Sequence, residues 1–537
     1  MRRRQFLFVL FIAGSFGFYA QIKINWGPFV KNPQGVSNHN YIIAQDSEKV
    51  YSLIQYYGFK GHEFWYLEAV NKTTKRVVFS TPLPSSPSGE RNLDWDNVAF
   101  IGSNLYLFCI SRDEKAHTIS CMASLINNEN GTRQAQIKIF SDTVLFNFSS
   151  VRLFYSSSPD GNSMLIGCRV VHPIKNKFSI INQNAQVVYD IHLHENTLSN
   201  SPYLVEAKLN NKGSIIAYLY QEDPPSYSLV KNELCMYSSD NERWRSFPIS
   251  FPQPYFLYDF KFLQFTNGEV MFTSLLSTIV VNEITNKEEI KPYSSGLYTV
   301  RADFEKQEFI SSSAQIFPKN EQEELYGIGR GWTNGQTSYF KGLYFITDAI
   351  ERTDGSITLL TEIRSSHWAF FPANPLFLRG PYPGTYVINP KFGYYGNPKP
   401  VREFESSLIS VFNIAPDGKL NWLKMIPKYQ KHVKKSYLSF AYGNDDDKIF
   451  LVYNDHRNNL KRDMLLTPTC MENPRKARVV LVSIDNFGNI SKRPLFLAKD
   501  NKRLALKPMA SDNLTKNSIF FLTEKRNHFR FAELRVD

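Results

Sequence analysis

Glu362, Asp455 and His456 are the residues of this chain whose types and spacing come nearest to an acid/base set. They lie near the ends of two apolar runs, "ITLLTEIR" (357–364) and "IFLVYNDHRNN" (449–459). A carboxylate beside a histidine can work as a general acid/base pair, and two carboxylates flanking a sugar linkage can hydrolyse it. The neighbouring Arg364, His367 and Arg457 would then hold an anionic or polar ligand. The same residues suit a polar rim that anchors loops, and the sequence leaves both readings open. No nucleophile elbow, zinc-protease signature or repeated sialidase-type Asp box is present.

A second group is aromatic. The stretch 365–405 contains Trp368, Phe370, Phe371, Tyr382, Tyr386, Phe392, Tyr394 and Tyr395, too many rings for a disordered linker. They are expected either to offer a stacking surface for sugars or a protein partner, or to pack as a lid. Asp190, His192 and His194 alternate along one strand in "YDIHLHEN". As this would be an outermost strand, they read as solvated polarity, and no metal is expected. Gly327, Gly329 and Gly331 lack the following helix that a phosphate loop needs, and Asp445, Asp446 and Asp447 lack the alternation of a calcium loop. No cofactor is expected. Of five cysteines, Cys109 and Cys121 are equidistant from a turn at Lys115. A hairpin centred there would set them opposite one another, close enough for a disulfide, although buried thiols are the other outcome.

The elements that must position these residues repeat. "SSSPDGNSMLIGCRVV" (156–171), "LNNKGSIIAYLYQE" (209–222), "QFTNGEVMFTSLLS" (264–277), "IERTDGSITLLTEIR" (350–364) and "YGNDDDKIFLVYND" (442–455) each read as strand, tight turn, strand. Gly, Asn and Asp accept the turn conformations, and the β-branched and aromatic runs favour strand. A second hairpin follows each first one, as in "ISVFNIAPDGKLNWLKMI" (409–426). Two hairpins make a four-stranded meander, and its repetition predicts an all-β protein, a β-propeller. Seven complete blades begin near residues 41, 97, 151, 202, 257, 342 and 436. The last residues supply three more strands, and "QIKINWGPFV" (21–30) is one strand without a partner. The two deficits predict an eighth blade closed by the N-terminal strand, with seven blades as the alternative.

In such a meander the turns between second and third strands share one face of the ring with the links between blades. The long connections 278–296, 318–340, 365–405 and 454–476, with the shorter 428–435, all fall on that face, in blades five to seven. Loops of that length usually carry function, so one face of the ring is the expected binding face.

Arg2, Arg3 and Arg4, the apolar run from Phe6 to Ala13 and the small residue Ala20 predict a signal peptide over 1–20, with residues 21–537 forming one propeller domain. The apolar run is short for a membrane anchor, and no transmembrane segment is expected after cleavage. The formal net charge is +12, and from Lys391 to Asp537 there are 27 Lys and Arg against 15 Asp and Glu. An exported protein with a basic C-terminal third points to an envelope or surface protein or an anionic glycan as partner, not to nucleic acid. A monomer is expected.

Two runs also carry a resemblance. Trp422, Lys424, Ile426, Pro427, Lys428 and Gln430 form one, and Tyr453, Asn454, Asp455 and Asn459 the other. Over the last 200 residues or so the chain resembles uncharacterised exported β-propeller-like proteins of Bacteroidota-type Gram-negative bacteria. The resemblance implies the periplasm or cell surface, with Gln21 as first mature residue, and brings no activity. The leading expectation is a non-catalytic scaffold, and the alternative a glycoside-acting hydrolase using Glu362, Asp455 and His456.

Overall fold

Eight four-stranded antiparallel sheets form a ring, a β-propeller. The computed structural model describes residues 22–536 apart from 32–35, 58–62, 85–92, 114, 144–150, 172–173, 194–202, 224–227, 251, 253–254, 266, 283–286, 291–294, 326–332, 335–336, 339–342, 372–398, 446, 463–465, 497–503, 516 and 526–527. Blades 1 to 7 span 36–82, 93–143, 152–192, 203–248, 255–316, 343–432 and 441–494. Blade 8 takes its three inner strands from 505–536, and its outermost is the N-terminal strand Ile22–Trp26, paired antiparallel from Ile22 opposite Val536 to Trp26 opposite Ala532. The eight-blade expectation, with its closure, therefore holds.

The second and third strands of a blade are covered on both faces, which is why they read as nearly unbroken apolar runs. Side chains alternate between two seams. In blade 6, Ile357, Leu359 and Ile363 pack toward blade 5, whereas Leu360, Ile409 and Val411 pack toward blade 7. A separate apolar cluster fills each seam round the ring. The tight turns lie where the Gly and Asp residues put them: Gly355 (φ 76°) and Gly418 (φ 84°) adopt the left-handed conformation that a Cβ disfavours.

Two expectations need correction. The hairpin carrying the cysteines is centred half a residue later than Lys115, so Cys109 lies opposite Met122 and Cys121 opposite Ile110. A slip of one residue sends a side chain to the other face. Cys109 therefore packs toward blade 1 and Cys121 toward blade 3, in separate clusters, and no disulfide joins them. The described parts of the insertions also contain strand and helix. Strands Ile357–Phe371 and Lys399–Ile414 stay paired out to Phe371 opposite Lys399, although the first strand of the blade ends its pairing at Arg364. In blade 5, Glu269–Asn282 pairs with Lys287–Ile290 in the same way. Both blades thus send a two-stranded ribbon out of the same face. Residues 318–340 supply the short helix Lys319–Leu325, whose Leu325 is buried beside Tyr344. Among the described residues, no helix is long and apolar enough to cross a membrane.

Candidate functional site

Strand Ile357–Phe371 brings Glu362 into the middle of blade 6, level with Phe345 on one side and Ile409 on the other. Its carboxylate is fully buried. Lys428 and Ser406 hold Oε1, the Ser406 hydroxyl at 2.6 Å, and Arg364 Nε lies 2.7 Å from Oε2. Burial alone would raise the pKa of this carboxyl, but Lys428 and Arg364 outweigh it and hold it at about 2. A carboxylate so held is an ion with both oxygens bonded, and it has no proton to give a leaving group at neutral pH.

Asp455, at the end of strand Lys448–Asp455, is equally committed. Oδ2 lies 2.7 Å from Lys492 Nζ, and Oδ1 accepts from the Asn459 amide at 2.7 Å and the His456 backbone at 2.8 Å. Asn459 in turn closes both backbone groups of Thr469. Together they clamp the two ends of the connection after the strand. His456 caps the short 3-10 turn Arg457–Leu460 by accepting the Asn458 N–H on Nδ1 (3.3 Å), and burial lowers its pKa. Arg457 is exposed on that turn. The structure thus puts the three acid/base candidates on adjoining blades, with both carboxylates in ion pairs.

The sequence reading missed the connections behind them. Lys428 Nζ also donates to Ser406 Oγ (2.5 Å) and Gln430 Oε1 (2.9 Å), and Gln430 Nε2 donates to the Asn454 carbonyl (2.7 Å). Asn454 then spans to blade 8, bonding both backbone groups of Leu506 and the Tyr437 carbonyl. In blade 8 the pair Lys507–Glu524 (2.8 Å) is again buried. Burial works to raise the Glu524 pKa, and Lys507 more than reverses it. The available signal was a register: Glu362, Asn454 and Glu524 each fall five residues after an isoleucine, Ile357, Ile449 or Ile519, that is the first or second residue of its strand.

Of the binding candidates, Arg364 faces a recess of about 210 Å³ between the innermost strands of blades 6, 7 and 8, lined also by Thr347, Ser439, Tyr442, Met509 and Asp512. His367, Trp368, Phe370 and Phe371 occupy successive positions of the blade 6 ribbon, opposite Glu403, Arg402, Pro400 and Lys399. Tyr382, Tyr386 and Tyr394 lie outside the described residues, as does His194. Asp190 is paired with Lys177 at 2.9 Å, and among the described residues no three His, Cys, Asp or Glu are grouped to hold a metal ion.

No protein-family model matches the sequence, and no curated protein matches it. Similar solved structures include a protein of unknown function from Bacteroides caccae (12% identity over 67% of this chain and 89% of that one, TM-score 0.28). Others are the β-propeller domain of the Trilobed protease from Pyrococcus furiosus (8%, 87% and 98%, TM-score 0.35) and prolyl oligopeptidase B from Galerina marginata (9%, 95% and 56%, TM-score 0.38). At identities this low none of them assigns an activity.

Proposed function

We propose that this protein is an exported, non-catalytic propeller scaffold, which binds an envelope protein or an anionic glycan on the face elaborated by blades 5 to 7. The observation carrying this reading is the state of Glu362, buried and fully engaged by Lys428, Ser406 and Arg364. The side chains with acid/base chemistry are used to fix the blades, while the ribbons of blades 5 and 6 and the clamped connection of blade 7 extend the same face. Glu362 gives the hydrolase alternative little support, since general acid catalysis needs a raised carboxyl pKa and its own is lowered, and both oxygens of Asp455 are already bonded within the fold. The basic C-terminal third and the resemblance to exported Bacteroidota-type proteins support a site in the periplasm or at the cell surface.

The test is affinity capture from intact cell envelope with the mature protein and with a form in which an Asn-Gly turn replaces residues 367–402. A partner retained by the full chain and lost by the shortened one supports the scaffold. Equal capture by both forms removes the ribbon from the interface. Glycoside turnover that disappears in Glu362→Gln would overturn the non-catalytic reading.

A further inference from the structure

The recess between the innermost strands of blades 6, 7 and 8 has a chemical composition that the scaffold reading does not use. Its wall is made by the innermost strands of three successive blades, Thr347 from blade 6, Tyr442 from blade 7, and Met509, Ser511 and Asp512 from blade 8, with Ser439 from the link between blades 6 and 7. Arg364 enters from the second strand of blade 6. Its guanidinium is fixed in place: Nε is bonded to Glu362, and Nη2 donates to Thr347 Oγ1 at 3.1 Å and Ser439 Oγ at 3.4 Å. With those bonds made, no described residue takes the Nη1 donors, which remain for a ligand on a side chain still 30% exposed.

Basic side chains gather near this point. Lys435 lies four residues before Ser439, with its side chain partly exposed. Partial burial of this side chain and then the like charges of Arg364 and Arg402, opposed by Glu362, lower its ammonium pKa. A cation held among cations is relieved by an anion. A pinned guanidinium recognises a carboxylate with little loss of freedom. The other groups on the wall are hydroxyls and one carboxylate, which exchange hydrogen bonds with ligand hydroxyls. Asp512 would repel a phosphate dianion more strongly than a singly charged carboxylate, and an acidic side chain of a peptide would leave the wall hydroxyls without matching groups. At about 210 Å³ the space is smaller than the several hundred Å³ usual for larger ligands and takes one sugar residue.

We propose that this recess binds the terminal uronic acid of an anionic glycan, its carboxylate on Arg364 and its hydroxyls on Thr347, Ser439, Ser511 and Asp512. This rests on reading the elaborated face as the binding face, and it names a ligand class for it.

Calorimetry with the purified mature chain tests the assignment, using glucuronate- and galacturonate-terminated oligosaccharides, their neutral glucose and galactose counterparts, inorganic phosphate and a glutamate-containing peptide. Only the uronate-terminated sugars are expected to bind. Arg364→Gln should weaken them about tenfold or more, the scale of a lost charged hydrogen bond. Lys435→Gln, at an exposed site, should weaken them a few-fold, and Met509→Trp should abolish binding by filling the recess. Binding of neutral sugars as tight as that of uronates, preference for phosphate or peptide, no uronate binding, or uronate binding that survives Met509→Trp would each overturn the proposal. If Arg364→Gln does not fold, the other two variants decide. The form lacking 367–402 separates the two readings: loss of envelope capture with uronate binding intact leaves the recess and removes the ribbon interface, and the reverse removes the recess alone.

Discussion

The Gln430 side-chain amide donates to the backbone carbonyl of Asn454 at 2.7 Å, across the seam between blades 6 and 7. This single contact joins the two sequence runs that set the C-terminal third apart. Behind Gln430 stand Lys428 and Glu362, and beyond Asn454 stands the first strand of blade 8. Three blades are thus tied by one buried polar chain, in which each member satisfies the next.

Lys428→Met should be strongly destabilising. It leaves Glu362 buried with Arg364 and Ser406 only, and breaking a buried pair costs about 3–5 kcal/mol. Urea unfolding should show part of that loss recovered in the double variant Glu362→Gln/Lys428→Met. With a folded-state pKa of about 2 against the ordinary 4.5, Glu362 contributes stability in full above pH 4.5 and loses it as pH falls toward 2. The loss is of order 3 kcal/mol.

Glu68 should behave in the opposite sense. It is 5% exposed in the seam between blades 1 and 8, and burial raises its pKa to about 7 despite a bond from Ser80. Its protonated form is the one the fold accepts, so stability is full below about pH 4.5 and falls as pH rises to 7. Glu68→Gln should therefore raise the midpoint of thermal unfolding at pH 8, by up to about 3 kcal/mol in stability, and change little at pH 4.

Asn459→Ala should loosen the connection after Asp455 without unfolding the ring. It removes bonds to both backbone groups of Thr469 and one to Asp455, worth about 1–3 kcal/mol for buried groups left unpaired. Hydrogen exchange should speed up in 456–477 and stay unchanged in blades 1 to 4.

Gly27→Ala should damage the closure of the ring. An added Cβ would lie 2.3 Å from Lys75 Cβ and 3.0 Å from the Phe531 carbonyl oxygen, and the Lys75–Glu533 pair (2.8 Å) linking blades 1 and 8 would have to move. A loss of about 1–3 kcal/mol is expected from such overpacking. Limited proteolysis should show it as faster cleavage near the N-terminal strand.

The architecture was legible because each blade announces itself locally. A Gly- or Asp-rich turn, a run covered on both faces and a polar outer strand recur, and the unpaired N-terminal strand matched the incomplete last blade. Contacts that depend on register were not legible. The misplaced Cys109–Cys121 pair came from a shift of half a residue in one hairpin centre, below what turn residues specify. Glu362 and Asp455 stood out as polar groups in apolar runs, but their partners Lys428 and Lys492 come from other strands, 66 and 37 residues away in sequence. Sequence showed the charge, and only packing showed that it was already neutralised. The ribbons at 365–371 and 399–405 were read as loop because nothing local says that two strands go on pairing beyond their sheet.

The closing strand also fixes how the molecule responds to being pulled. Ile22 lies opposite Val536, so the first and last strands begin and end side by side on the rim of one blade. Tension between a tether at one end and a load at the other falls on those pairs in succession, as a zipper opens, and does not load them together in shear. Mechanically, the ring has a seam, and the seam is where its two ends meet.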